Sequence, residues 1–233
     1  MKNYLKEYFK DWNLYERIWL FAFTAVNIWL FFVWHDSWIG LTASLTGMIC
    51  VILVAKGKIS NYYFGFVNIV AYAYVAYQNK YYGDFMLNAY FYFPMQFVGL
   101  YFWIKHRNKQ KTKDDVSVNY LGLKEKISWF MVSVAAIFVY GLYLQHITGR
   151  LPFVDSTTTI LSIVATILMT RRVTEQWLLW IVVDVVSIYM WVYRIIQGSS
   201  DISMIVMWTA FLVNAVYGYY NWRKLEKEAK NGK

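Results

Sequence analysis

The sequence predicts an all-α membrane protein of eight transmembrane helices: one extra N-terminal helix, then a parallel 3+1+3 core made of a duplicated three-helix bundle. Three observations carry this. The 233 residues are 59% hydrophobic and 21% aromatic but only 16% charged, more apolar surface than a soluble domain of this length has interior to hide. The cations lie in short clusters that alternate along the chain. The second to fourth apolar stretches also share landmarks, in the same order, with the sixth to eighth.

In chain order, residues 1–36 hold a polar N-terminus and the extra helix, expected at 18–34. The tail is either an amphipathic surface helix, with Lys2, Lys6 and Lys10 among Tyr4, Leu5, Tyr8, Phe9 and Trp12, or a frayed end, and no cleaved signal peptide is expected. Residues 37–106 form the first bundle, with helices at 38–55, 62–79 and 85–104. Residues 107–155 are a cytoplasmic linker and a connecting helix at 127–147. Residues 156–224 form the second bundle, with helices at 157–170, 174–193 and 202–222, the first of these the shortest. Residues 225–233 are a cytoplasmic tail. Each span approaches the ~20 apolar residues that hydrocarbon requires.

Lys and Arg in short loops stay cytoplasmic, and 20 of the 23 fall on one side of this topology. Only Lys80, Arg150 and Arg194 fall on the other, so both termini are placed inside. The charge run 105–115 is read as a solvated linker. The repeat shows in two Thr/Ser-rich helices that each end in a pair of cations, and in two endings of the form Gly-x-x-x-Trp-x-Lys. These are Gly99, Trp103 and Lys105 in one copy and Gly218, Trp222 and Lys224 in the other. A three-helix unit enters and leaves on opposite faces, so a parallel second copy needs one crossing between them, which the connecting helix supplies.

Polar side chains deep in a bilayer are costly and face the bundle interior or a cavity. Asp184 lies near the midplane, 12 residues beyond Arg172 and 10 before Arg194, and Asn68 lies at a matching depth. Trp177, Trp180, Asp184 and Ser187 form one helical stripe; Asn88, Tyr92, Gln96 and Gly99 form a second; Asn214, Tyr217 and Asn221 form a third. Trp177 is equally readable as a membrane-belt residue, the amides as glue between helices, and Asp184 as a protonated structural group. Taken together the stripes describe a cavity with indole and phenol faces, amides and one carboxylate. Its ligand is small, flat, cationic and polar at its edges.

Other chemistries lack their residues. There is no Gly-rich phosphate loop, Cys/His metal spacing or Ser/His/Asp arrangement, so neither an enzyme nor a cofactor is expected. Cys50 is alone and reads as a small core residue; His35, His106 and His146 sit at membrane boundaries. The scattered cations argue against nucleic acid as a partner. A receptor or scaffold, which needs no midplane cavity, is the rival of another class.

The Trp177 and Trp180 pair followed by Asp184, the Gln96 to Gly99 segment with Trp103, and the Asn214 to Gly218 segment ending in Trp222 resemble the nicotinamide riboside transporters of the PnuC type, over roughly residues 37–224. The resemblance implies a SWEET-like fold with substrate held between two bundles, facilitated diffusion across the bacterial inner membrane, and a cytoplasmic kinase that traps the nucleoside by phosphorylating it. The Pro-Gln signature of the wider superfamily is altered, because Met95 separates Pro94 from Gln96. Thiamine, another flat cation, is the alternative substrate. Gln96 and Asn214 suit a carboxamide and ribose better. No coupling ion is expected, because one midplane carboxylate without titratable neighbours makes no relay. Lipid-facing aromatics leave room for a homo-oligomer, such as a trimer.

Overall fold

The structure is a computed structural model that describes residues 12–34, 37–78, 85–107, 115–147, 151–196 and 202–231. The expected surface helix at the N-terminus, His35, Lys80, Arg150 and most of the charge run 105–115 lie outside these residues. Eight helices run in order: α1 Leu14–Trp34, α2 Trp38–Ala55, α3 Asn61–Gln78, α4 Phe93–Lys105, α5 Leu123–Ile147, α6 Pro152–Thr170, α7 Gln176–Ile196 and α8 Ile202–Asn231. A π-helical turn, Leu87–Tyr92, leads into α4.

Helix starts follow local chemistry that the apolar pattern missed. Asn13 and Glu16 form a reciprocal box: the Glu16 N–H donates to Asn13 Oδ1 and the Asn13 N–H to Glu16 Oε2, both at 2.8 Å. These bonds satisfy donors the helix leaves open, so α1 begins at Leu14 rather than at residue 18. Ser37 caps α2 by accepting the Gly40 N–H at 2.9 Å. Pro152 at the first turn, with Asp155 beside it, starts α6 five residues earlier than expected, so at 19 residues it is not the shortest helix. The residues read as a C-terminal tail continue α8 as far as Asn231.

The π-helical turn has an identifiable cause. Pro94 offers no N–H and its ring crowds the carbonyl four residues back; widening the preceding turn accommodates it, and the Phe93 N–H donates to the Asn88 carbonyl, five residues back.

Among the described residues four helices, α1, α2, α5 and α6, are long and apolar enough to cross a membrane on length and composition alone. The chain folds as two compact units. One contains Met1–Leu53 with Ser60–Gln96; the other contains Val54–Ile59 with Phe97–Lys233. In the first, Asn68 Nδ2 donates to the Ala43 carbonyl at 2.7 Å, and Ser44 Oγ donates to Asn27 Oδ1. In the second, α5 to α8 pack consecutively, and Ser156 Oγ ties α6 to the Ile137 carbonyl of α5 at 2.7 Å.

The second unit also contains reciprocal indole bonds. Trp103, near the end of α4, donates from Nε1 to the Met169 carbonyl at 2.9 Å, one residue before α6 ends. Trp222 of α8 donates to the Val54 carbonyl at 2.8 Å, one residue before α2 ends. Both tryptophans are fully buried. Beyond each helix end the chain turns through a left-handed residue, Gly57 at φ 70° and Arg172 at φ 59°. That conformation costs a side-chain-bearing residue about 1–2 kcal/mol. The Arg172 carbonyl accepts the Asn119 N–H at 2.7 Å, which helps to hold it.

The segment that follows the charge run is packed against the second unit. Asp115 pairs with Lys58 at 2.9 Å, and Val116, Val118 and Leu121 are buried, so residues 115–122 form a packed strap. Alternating small apolar residues, Val116-Ser117-Val118, point one set of side chains inward.

Candidate functional site

Asn68 lies on α3, Gln96 on α4 with Asn88 and Tyr92 in the turn before it, Trp177, Trp180 and Asp184 on α7, and Asn214 and Tyr217 on α8. None of them lies on α1, α2, α5 or α6.

In the first unit Gln96 is buried, and its Oε1 has no hydrogen-bond partner among the described residues. It lies against α3 at Gly65, where a Cβ would sit 2.7 Å from Oε1 and 3.3 Å from Cys50 Sγ, so only glycine admits this approach. Asn88 is buried and Tyr92 half-buried, and both belong to the π turn that leads into the regular part of α4. Asn68 is half-buried, and its bond to Ala43 with its contact at Gly47, where a Cβ would meet Nδ2 at 2.7 Å, ties α3 to α2. Its amide nitrogen is thereby engaged in helix packing.

In the second unit the α7 stripe keeps one face inward. Trp177, Asp184 and Ser187 are buried and Trp180 is half-buried, while Leu178, Val182 and Val185 between them are exposed. Asp184 is 3% exposed, and no described cation pairs with it. Asn214 is buried and Tyr217 half-buried on α8. Trp177 belongs to a cluster of three indoles. Its ring meets Trp222 edge-on at 6.0 Å and 78°, Trp222 lies 6.0 Å from Trp103, and the Trp177 ring covers Gly218 closely enough that a Cβ there would sit 2.6 Å away. Trp180, one turn further along α7, is the less committed indole.

Two parts of this arrangement were not read from the sequence. The glycines at 47 and 65 set how closely Asn68 and Gln96 approach neighbouring helices, and no spacing rule singles them out. The π turn did have a signal: a proline inside an otherwise helical stretch.

The family described as Nicotinamide mononucleotide transporter matches residues 37–224. The chain belongs to that family. Its relatives include a "Nicotinamide riboside transporter PnuC" of Neisseria mucosa, 40% identical over 226 residues, covering 95% of this chain and 86% of the relative. One of Haemophilus influenzae carries the same name and is 34% identical, covering 95% of each. A solved structure titled "Crystal structure of the Vitamin B3 transporter PnuC" superposes with a TM-score of 0.83 at 39% identity, covering 97% of both chains. The resemblance read from the tryptophan and amide motifs is therefore borne out, and family members are named as transporters rather than enzymes. The all-helical architecture agrees with that of the solved structure.

Proposed function

We propose that the protein carries nicotinamide riboside across the bacterial inner membrane, supplying the cell with a precursor of its nicotinamide cofactors. The carrying observation is Asp184, buried on the inward face of α7 without a described cation beside it. A carboxyl buried here ionises when a countercharge lies beside it, and a pyridinium ring supplies one. Trp180 offers that ring a face, and within the second unit the buried Asn214 amide with Tyr217 suits the carboxamide and ribose; the first unit carries groups of the same kinds in Gln96, Asn88 and Tyr92. Asn68 contributes through its carbonyl, and Trp177 supports Trp180 from the indole cluster.

The same residues discriminate between the two compounds that the family names invoke. The mononucleotide adds a phosphate, and the three polar stripes contain no Lys or Arg to receive it. A phosphate near a buried carboxylate is repelled. The riboside is therefore the better ligand, and thiamine, which lacks the ribose, is second.

The parallel 3+1+3, SWEET-like arrangement is supported by the reciprocal indole bonds, which relate the end of α4 to α6 and the end of α8 to α2 in the same way. In this reading the bundles are residues 37–106 and 156–224, all eight helices cross, and both termini face the cytoplasm with the strap and the cation clusters. Transport is facilitated diffusion, made directional by a cytoplasmic kinase, and the exposed aromatics accommodate lipid or a second copy of the chain.

Saturable uptake of labelled nicotinamide riboside into proteoliposomes tests the reading. Unlabelled riboside should compete strongly, thiamine less, and the mononucleotide least. A folded preparation without saturable uptake would favour a receptor or scaffold.

A further inference from the structure

Gln176 opens α7 and is fully buried, at 0% exposure. Its backbone N–H donates to the Val173 carbonyl at 3.2 Å, yet neither Oε1 nor Nε2 of its side chain has a hydrogen-bond partner among the described residues. Buried side-chain amides are bonded in the large majority of cases, and one left open lowers the stability of the fold that encloses it. An apolar side chain of similar length packs in such a place at less cost. A polar group kept on those terms marks a site where function overrides packing.

Its place on the helix says which site. Gln176 precedes Trp180 by four residues and Asp184 by eight, so it shares the inward face of α7 with Trp180, Asp184 and Ser187. At 1.5 Å per residue these steps are about 6 and 12 Å along the axis. Trp177, which follows it, is held by Trp222 and Gly218, whereas no bond holds the Gln176 amide in its rotamer. Turning that amide along the face toward the half-buried Trp180 therefore breaks no hydrogen bond.

We propose that Gln176 binds the ribose of the substrate and is a further specificity residue of the α7 face. The inference rests on the transporter reading: with the pyridinium ring on Trp180 and beside Asp184, a sugar directed toward the start of α7 comes within reach of the amide. Hydroxyl groups both donate and accept, and a carboxamide offers one partner of each kind. Binding then also removes the cost that the open amide carries.

Two measurements on the purified protein test this. Without ligand, Gln176→Met and Gln176→Leu, which keep the bulk and discard the amide, should hold the parent's thermal midpoint or raise it by a few degrees. With ligand, calorimetry compares nicotinamide riboside with N-methylnicotinamide, a cation with the same ring and carboxamide but no sugar, weak binding of the second being read by displacement of the first. Gln176→Met should weaken the riboside about three- to tenfold and leave N-methylnicotinamide unchanged, so the ratio of the two affinities falls by that factor. A lowered midpoint in both variants means that the amide has a structural partner, such as an ordered water, and overturns the proposal. Equal losses for the two ligands, or none for the riboside, overturn it as well. If the parent binds neither compound, the transporter reading fails and the sugar assignment with it; an unshifted ratio in a variant of a parent that binds both refutes the sugar assignment alone.

Discussion

Replacing Asp184 by Asn removes one charge and almost no volume, so it separates recognition of charge from recognition of shape. The side chain is 3% exposed and no described cation pairs with it, and on the proposed reading the ligand is its countercharge. Two unit charges about 5 Å apart at an effective dielectric near 20 attract by about 3 kcal/mol, whereas in bulk water the figure is below ~1 kcal/mol. The larger figure corresponds to about two decades in Kd. Affinities of nicotinamide riboside and of its uncharged dihydro form, measured by calorimetry on parent and variant, give the contrast. Binding of the cation should weaken ~10- to 100-fold while the neutral form changes little, so the ratio of the two affinities shifts by that factor. An unchanged ratio would take Asp184 out of the site, leaving the aromatic and amide residues to recognise the ligand.

Three further outcomes follow from named contacts. Trp180→Phe should retain part of the riboside affinity, whereas Trp180→Ala should lose about 1–2 kcal/mol, and equal binding by all three proteins would make the indole a packing residue. Gly65→Ala places a methyl group 2.7 Å from Gln96 Oε1, so overpacking of about 1–3 kcal/mol should lower the thermal midpoint, and adding Gln96→Ala should recover most of it. If Gly65→Ala is as stable as the parent, the close approach is not a constraint. Trp222→Phe removes the indole donor from the Val54 carbonyl, which keeps the Gly57 N–H, and should destabilise the protein by about 0.5–1.5 kcal/mol, as Trp103→Phe should through Met169, which keeps the Arg172 N–H; denaturation without loss in either case would discount the reciprocal bonds.

The legible part of the architecture is the part written in composition. Eight helices follow from eight apolar stretches, and the predicted limits of α2, 38–55, are met to the residue because Ser37 caps one end and Lys56 and Gly57 stop the other. The α7 stripe was equally accessible, since three- and four-residue spacing is all that an inward face requires. What escaped depends on contacts between distant residues. Nothing local marks 115–122 as packed: it follows a charge run, and the Lys58 that pairs with Asp115 lies more than fifty residues earlier. Trp177 looked like a cavity wall because its spacing matched Trp180; the edge-on contact with Trp222 and the fit over Gly218 are visible only once α7 and α8 are side by side. The early starts of α1 and α6 were written in Asn13, Glu16 and Pro152, but hydropathy alone does not weigh capping chemistry.

The bond between Trp222 and Val54 spans 168 residues and gives membrane assembly a definite order. Val54 enters the bilayer early in synthesis, at the end of α2, and its indole partner arrives with the last helix. Until then the carbonyl one residue before the end of α2, together with that of Ala55, which accepts from Asn221 Nδ2 at 2.8 Å, is without its final donor. The bonds from Trp103 to Met169 and from Asn119 to Arg172 can form while α8 is still being made, so the α6 end is secured first. Without α8 the Val54 carbonyl keeps the Gly57 N–H at 2.9 Å, so the turn after α2 closes locally and the last helix adds the long-range bonds from Trp222 and Asn221.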